Sequence, residues 1–333
     1  MKRRSLIILP AILPVLAMPR LARAALPDTL RMAESLPALR SVAVWWDGEV
    51  IAARGYGRFR PEDPTNIKSA SKSIISVLAG IAIDRRLFEG PDQPVAGLFR
   101  PDLPENPDPR MWKLTLGNLL SMQSGLERQS GPNYGTWVGS RNWVRTALAA
   151  PFVDEPGGKM LYSTASTHLV SALLTRVAGR STLELARRWL RPIKGFGITS
   201  WEQDPQGIFM GGNQMAMSTL SLLAFGACMA NGGRAQDGTQ VVSENWIEKS
   251  WTRRTNSIFS GEAYGYGWFI SNLAGRPAAY GWGYGGQFIY ALPAHGDRPP
   301  AAIAITSDPE QPSARNGYAM ALQNLAREII AIL

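Results

Sequence analysis

Apolar positions form short β-rich runs near the start of the chain and long helical stretches further along. Residues 42–46 and 49–53 are two β-rich runs joined by Asp47-Gly48, a dipeptide suited to the positive φ angles of a tight hairpin turn. The run IISVLAGIAIDRRLF, from residue 74, is apolar nearly all round, which is typical of a buried helix. Helical patterns also dominate residues 114–251, most clearly at 183–190 and 220–231.

The pattern returns to β after residue 257. Residues 266–271, 278–284, 287–292 and 301–306 are strand-like, and a final helix is predicted over 311–333. Strands at both ends of the chain favour one sheet assembled from the two terminal segments and covered by helices. We therefore predict an α/β fold of the α+β type. Its antiparallel sheet domain comprises residues 25–85 and 257–333, and a mainly helical domain, residues 86–256, is inserted between them.

The first 24 residues have the pattern of a secretory signal peptide. A basic start precedes an apolar run at residues 6–18, and Ala-Arg-Ala at 22–24 forms a small-x-small cleavage site. The run contains two prolines and is shorter than the roughly 20 residues that a membrane-spanning helix needs. We expect a periplasmic or secreted mature chain that begins near Ala25 and has no stable membrane insertion. Arg3-Arg4 leaves both twin-arginine and general Sec export open.

Composition and charge narrow the classes of function. The formal charge is +9, but five Lys and Arg residues lie in the predicted signal peptide, which leaves +4 and no dense cationic stripe. Nucleic-acid binding is therefore not expected. Cys228 is the only cysteine and there are two histidines, so an intrachain disulfide is excluded and a zinc or iron site is not expected. No cofactor is expected either.

The stretch NIKSASKSIIS, residues 66–76, contains a candidate nucleophile. A serine hydroxyl needs an adjacent base, and residues three or four apart on a helix share a face. Ser69 and Lys72 have this spacing, and no other serine of the stretch is followed by a base at it. A lysine at the mouth of an apolar helix would be partly desolvated, which lowers its pKa, and helix N-terminal N–H groups favour an oxyanion. S-x-x-K alone is a weak pattern, and the alternative is a solvated turn with capping serines.

Further motifs occur in a definite order along the chain. LLSMQSG is at 119–125, Tyr162-Ser163-Thr164 lies in PGGKMLYSTASTHLVSALL at 156–174, GGNQMAMSTLSLLAFGACMANGG is at 211–233, and YGYGW is at 264–268. With S-A-S-K at 69–72, they resemble the serine β-lactamase-like and penicillin-binding superfamily over nearly the whole mature chain. Within it, the sequence is most similar to the class C-like esterases, D-aminopeptidases and 6-aminohexanoate-dimer hydrolases.

The resemblance implies a β-lactamase/transpeptidase-like fold and a periplasmic serine hydrolase. Its substrate would be a small-molecule or short peptide-like ester or amide. Ser69 would be the acylated nucleophile, and Lys72 and Tyr162 would form the acid–base pair, with the phenol pKa of Tyr162 lowered by the nearby ammonium. Which of the two acts as the base stays open. The oxyanion hole would use the backbone N–H groups of Ser69 and Tyr284.

Three aromatic residues are candidates for lining the acyl site. They are Tyr134 and Trp137, in the glycine-rich loop after LLSMQSG, and Trp282. Ordinary loop packing is the alternative for each of them. His168 is expected to pack or face solvent, and Asp204 to be a turn residue. A Ser-His-Asp triad lacks support because no G-x-S-x-G motif occurs in the chain.

The sequence departs from the superfamily at two positions. Trp282-Gly283-Tyr284 stands where penicillin-binding proteins and β-lactamases carry K-T-G or H-T-G, and Thr164 stands where class C β-lactamases have Asn. Both changes favour neutral ester or amide substrates. β-Lactamase or D,D-peptidase activity is the alternative among enzymes, and a non-catalytic cell-wall peptide-binding protein is the alternative outside them.

Overall fold

The computed structural model describes residues 18–333 and contains two antiparallel sheets. Its strands are β1 Leu39–Trp46, β2 Glu49–Gly55, β3 Pro64–Asn66, β4 Ser200–Trp201, β5 Met215–Ser218, β6 Thr255–Asn256, β7 Ala263–Tyr264, β8 Phe269–Leu273, β9 Arg276–Gly283, β10 Gln287–Leu292 and β11 Ala301–Ser307. The large sheet has the order β2-β1-β11-β10-β9-β8-β7-β6, and β3-β5-β4 form the small one. Because β1 pairs with β11, the two ends of the chain meet in one sheet, and the predicted fold class is confirmed.

Helices cover the large sheet on both faces. They are α1 Met18–Met32, α2 Ser71–Asp84, α3 Leu116–Leu120, α4 Tyr134–Val138, α5 Trp143–Leu148, α6 Thr164–Ala178, α7 Thr182–Trp189, α8 Thr219–Ala230, α9 Glu244–Ser250 and α10 Tyr318–Ile332. Side chains alternate along β1, so Val42 and Val44 join the core under α1 and α10, while Ala43 and Trp45 join the core that includes α2 and α8. Helix α8 belongs to the predicted helical domain, residues 86–256, but it packs on the large sheet. This contact crosses the predicted domain boundary, and the division into two domains stays a prediction.

The N-terminal hairpin forms as its sequence predicts. Asp47 has φ +48° and Gly48 has φ +89°, so both central residues of the two-residue turn have positive φ. Trp46 pairs with Glu49 across the turn, and the register continues along β1 and β2 with one irregularity. The hairpin therefore fixes the face of the sheet to which each residue of β1 points.

Two elements near the functional residues differ from the prediction. The last helix begins at Tyr318 rather than at residue 311, because Ser313 bonds to the backbone of a neighbouring turn and Gly317 has φ +70°. The small sheet β3-β5-β4 was not predicted, since its strands of two to four residues are too short to show a hydrophobic period.

The predicted signal peptide, residues 1–24, lies largely outside the described residues, which begin in α1. From residue 18 onward, the structure has no helix that combines the length and the apolar character needed to cross a bilayer.

The close packing of α2 against α9 gives a test of the fold. A Cβ at Gly80 would overlap the indole of the buried Trp246, whereas a Cβ at the exposed helical Gly135 would meet nothing within 4 Å. We expect Gly80→Ala to lower the free energy of unfolding by about 1–3 kcal/mol through overpacking. Gly135→Ala, the matched control, should raise it by about 0.5–1 kcal/mol. Thermal unfolding followed by circular dichroism measures both, and a stabilised Gly80→Ala would contradict this packing.

Candidate active site

The candidate nucleophile lies in a short 3₁₀ turn, Lys68–Ala70, between β3 and α2. Lys68 has φ +49°, a conformation that is uncommon outside glycine and that often marks functional sites. Its N–H donates to Asn66 Oδ1 at 2.9 Å, and its carbonyl accepts from Ser71 Oγ at 2.8 Å. These bonds hold the turn, and the half-buried Ser69 follows the strained residue directly.

The Lys72 amine is within hydrogen-bond distance of the Ser69 hydroxyl. Its Nζ lies 2.9 Å from Ser69 Oγ, 2.7 Å from the Gly212 carbonyl oxygen and 3.4 Å from Thr164 Oγ1. The residue is 1% exposed, and burial lowers its pKa to about 7. A substantial share of the molecules therefore carry a neutral amine at neutral pH, as the apolar character of α2 predicts.

Tyr162 also bonds to Ser69, but the pKa of its phenol moves opposite to our prediction. Burial raises the pKa of its phenol to about 12, and a hydrogen bond with Ser69 opposes this rise only in part. Lys72 Nζ lies over the face of the ring, 5.0 Å from its centroid, rather than beside the hydroxyl. The predicted lowering by an ammonium is therefore wrong, and Tyr162 keeps its proton at neutral pH.

The LLSMQSG segment positions the loop that carries Tyr162. Met122 has φ +63°, and its carbonyl accepts the N–H of Leu161 at 2.7 Å. Gln123 Nε2 donates to the carbonyl of Gly157 at 2.9 Å. Since Leu161 directly precedes Tyr162, the LLSMQSG segment holds the backbone just before this candidate catalytic residue.

Thr164 connects Lys72 to a residue that the sequence did not indicate. Its N–H donates to Ser130 Oγ at 2.9 Å, and the two hydroxyl oxygens lie 3.1 Å apart. Gln129 N–H donates in turn to Ser163 Oγ at 3.0 Å. The loop at 127–130 is thereby bound to the start of α6, next to the lysine.

Two adjacent glycines, Gly211 and Gly212, bring another backbone segment close to Lys72. A Cβ at Gly211 would overlap the carbonyl of Thr167, and one at Gly212 would overlap Thr167 Oγ1 and lie 3.1 Å from Lys72 Nζ. Only glycine permits this approach to α6, which places the Gly212 carbonyl against the amine.

A buried His–Asp pair holds the loop that leads to these glycines. His168 Nε2 and Asp204 Oδ2 lie 3.1 Å apart, and both side chains are fully buried. Asp204 Oδ1 also accepts the N–H groups of Gln206 and Ile208, each at 2.8 Å. His168 is thus a packing residue and Asp204 a turn residue, as predicted, and together they tie this loop to α6.

The two loop aromatics that were predicted to line the acyl site lie elsewhere. Trp137 is fully buried, and its indole N–H donates to the carbonyl of Trp143 at 2.9 Å, which corrects its assignment to the substrate site. Tyr134 is half-buried, and its hydroxyl accepts from Asn213 Nδ2 at 2.9 Å. It supports the segment beside Gly212 and is not among the residues that line the cleft.

A cleft of about 130 Å³ opens at Ser69. It is lined by Ser69, Tyr162, Phe259, Phe269, Trp282, Gly283, Tyr284 and Ala314. Trp282 lines this cleft, and its contact with an acyl group stays a prediction. Phe259 was missed because it comes from a loop without a motif. Within residues 18–333, no group of three or more His, Cys, Asp or Glu side chains could hold a metal ion.

Two backbone amides at this cleft could hold an oxyanion. Neither the N–H of Ser69 nor that of Tyr284 has an acceptor among the described residues. Ser313 holds Tyr284 from its carbonyl side, because the N–H and the Oγ of Ser313 donate to the Tyr284 carbonyl at 2.8 and 2.9 Å. Trp282 Nε1 donates to Ser313 Oγ at 3.1 Å. The loop before α10 therefore anchors the residue that carries the second amide, a contact that the sequence did not reveal.

Glycines also bring β9 against the nucleophile turn. A Cβ at Gly283 would overlap the carbonyl of Ile67, and one at Gly281 would lie 2.7 Å from Ser73 Oγ. Ser73 Oγ itself donates to the carbonyl of Gly267 at 2.8 Å, so this serine is structural. The glycine-dense strand is thus needed for the close approach that places Tyr284 near Ser69.

Solved structures with the same fold include proteins of several descriptions. A protein from Bacillus anthracis assigned as a 6-aminohexanoate-dimer hydrolase is 18% identical, with a TM-score of 0.71 over 91% of this chain and 81% of its own. A penicillin-binding protein homologue from Caulobacter crescentus is 16% identical, with a TM-score of 0.73 over 94% and 98%. EstCE1, a hydrolase with promiscuous acyltransferase activity, is 16% identical, with a TM-score of 0.73 over 94% and 99%.

Comparison with known sequences identifies the family of the chain. No curated protein matches it. The family model described as Beta-lactamase matches residues 37–326. This range covers most of the sequence and agrees with the motif order from S-A-S-K to the last strands, so the chain belongs to the Beta-lactamase family.

Proposed function

We propose that this protein is a serine hydrolase that cleaves an ester or amide bond through an acyl-enzyme on Ser69. The observation that carries the proposal is the buried Lys72 amine, with a pKa of about 7, at 2.9 Å from Ser69 Oγ. The family and the hydrolases among the structural neighbours support it. Export to the periplasm, inferred from residues 1–24, is part of the proposal, and the reaction as written uses neither metal nor cofactor.

The surroundings of Lys72 suit it to the role of the base. A neutral amine has two N–H donors and one lone pair. The Gly212 carbonyl and Thr164 Oγ1 can accept the two N–H groups, which leaves the lone pair for the hydroxyl of Ser69. Ser69 Oγ then attacks the substrate carbonyl carbon while its proton moves to Lys72. The N–H groups of Ser69 and Tyr284 stabilise the oxyanion that forms.

Tyr162 is suited to the role of the acid because its raised pKa keeps the phenol protonated. It donates a proton to the leaving oxygen or nitrogen as the tetrahedral intermediate collapses to the acyl-enzyme, and the phenolate regains a proton from the Lys72 ammonium through solvent in the cleft. Water then attacks the acyl carbonyl with Lys72 again as the base. Ser69 recovers its proton, and the carboxylic acid leaves.

The lining of the cleft favours neutral substrates over β-lactams. No charged side chain is among the residues that line it, so the carboxylate of a β-lactam or of a D,D-peptide has no cationic partner there. The non-catalytic alternative has no observation in its favour, since the three candidate groups lie together around Ser69.

Chemical labelling tests which serine is the nucleophile. We expect a fluorophosphonate probe to label Ser69, and Ser69→Ala to abolish both labelling and p-nitrophenyl ester hydrolysis. Ser73→Ala is the matched control, because the Ser73 hydroxyl donates to the Gly267 carbonyl and takes no part in holding the turn at Lys68–Ala70. Peptide mass spectrometry locates the adduct. An unlabelled Ser69, or activity that survives in Ser69→Ala, would contradict the proposed function.

The pKa of Lys72 predicts the pH profile. The amine must be neutral to accept a proton, so kcat/KM should rise with pH through about 7 and fall about tenfold per unit below that value. No falling limb is expected near neutrality, because the pKa of Tyr162 is about 12. Ester hydrolysis measured from pH 5 to 9 gives the profile.

Replacement of Lys72 is the companion experiment. Lys72→Met should lower kcat/KM by about 10²–10⁴-fold and remove the limb near pH 7. Lys113→Met is the control at an exposed lysine that pairs with Glu155 on the surface. Circular dichroism verifies that Lys72→Met is folded. A folded Lys72→Met enzyme with the unchanged limb would exclude Lys72 as the titrating base.

A further inference from the structure

The cleft at Ser69 is narrow, aromatic and free of charged side chains, which restricts the substrate. We propose that it is an acyl pocket for a compact, uncharged apolar group about the size of one phenyl ring, and that Phe259 sets this preference. The inference rests on the proposed function, since it concerns the group that would be bound covalently to Ser69.

The walls of the pocket offer ring surfaces and almost no free polar atom. Five of the lining residues are aromatic: Tyr162, Phe259, Phe269, Trp282 and Tyr284. The indole N–H of Trp282 is already bonded to Ser313, so this side chain presents only its ring. A charged acyl group would lose its water here without gaining a partner, whereas an apolar group gains from burial.

The volume of the pocket limits the size of the group. It measures about 130 Å³, and an apolar cavity of roughly 150 Å³ in another protein accommodates benzene. A phenyl ring or a chain of about four to six carbons therefore fills it. Phe259 is 52% exposed and Tyr284 is 56% exposed, so both rings stand at the mouth, where a longer chain would run out into solvent.

The position of the pocket relative to the two amides points to the acyl side of the substrate. Trp282 and Gly283 directly precede Tyr284, whose N–H would hold the carbonyl oxygen. A group attached to that carbonyl carbon therefore has the wall formed by β9 and Phe259 beside it. The Tyr162 ring lines the same pocket, but its hydroxyl bonds to Ser69, and the leaving group departs past that hydroxyl, which must protonate it.

Phe259 is held in place by its own loop. Ser257 Oγ accepts the N–H groups of Phe259 and Ser260 at 3.1 and 3.2 Å, and the Ser257 carbonyl accepts that of Gly261 at 2.9 Å. The Phe259 ring lies edge-on to Tyr162, with centroids 5.2 Å apart. Its neighbour Ile258 is equally exposed, at 52%, but does not line the pocket. The two residues form a matched pair for substitution.

A series of p-nitrophenyl esters with one leaving group and varied acyl groups tests the proposal. We expect kcat/KM to rise about fourfold for each methylene added between acetate and hexanoate. Benzoate should also be favoured over acetate, and decanoate should show no further gain over hexanoate. The anionic hemisuccinate should fall roughly tenfold or more below the neutral pentanoate. Phe259→Ala should reduce the hexanoate-to-acetate ratio by about tenfold. Ile258→Ala, the matched control, should leave this ratio unchanged.

Three outcomes would overturn the inference. They are a preference for the hemisuccinate, an unchanged ratio in Phe259→Ala, and selectivity that follows a series of leaving groups instead of acyl groups. Fluorophosphonate labelling of Ser69 separates this failure from a failure of the proposed function. Labelling of Ser69 without acyl selectivity would contradict only the acyl-pocket proposal. The absence of both labelling and turnover of every ester would contradict the proposed hydrolase function itself.

Discussion

The burial of the Lys72 amine is the constraint around which the rest of the site is arranged. Burial lowers its pKa from an ordinary value of 10.5 to about 7, so the unfolded chain binds more protons than the folded one between these values. This group therefore lowers the free energy of unfolding as pH falls from 10.5 to 7, and this loss accompanies the role of base that we propose for Lys72. The carbonyl of Gly212 and the hydroxyl of Thr164 replace part of the lost water. Each comes from a different segment of the chain.

Helix α6 brings these segments together. Its first turn supplies Thr164, which contacts both Lys72 and Ser130, and its second turn supplies His168, which is paired with Asp204. The loop between Asp204 and Gly212 thereby acquires a fixed position relative to the amine. Tyr162 precedes the same helix, so α6 positions the proposed base, the proposed acid and the Gly212 carbonyl that supports the amine. A buried helix is better suited to this task than a surface loop, because its packing leaves little freedom to its side chains.

The sequence predicts the features of this protein that depend on local spacing. Helix periodicity singles out Ser69 with Lys72, and alternation with turn residues locates the hairpin at Asp47-Gly48 and the last four strands. Features that depend on long-range contacts were missed or misread. Ser313 reaches the Tyr284 peptide only through the fold, and Phe259 comes from a loop without a motif. The pKa of Tyr162 was assigned the wrong direction because burial outweighs a nearby amine that lies over the ring.

The glycines at the site divide its residues into two groups with different freedom to vary. Gly211, Gly212, Gly281 and Gly283 each leave no room for a side chain, so the backbone around the reacting atoms can hardly change without displacing it. Two residues of the cleft wall, Phe259 and Ala314, come instead from exposed loop segments, where a new side chain meets solvent on one side. Divergence from a common ancestor can therefore change which compound is turned over while the chemistry stays the same. A library randomised at Phe259 and Ala314 alone would vary the cleft while leaving these glycines and the contact of Ser313 with Tyr284 in place.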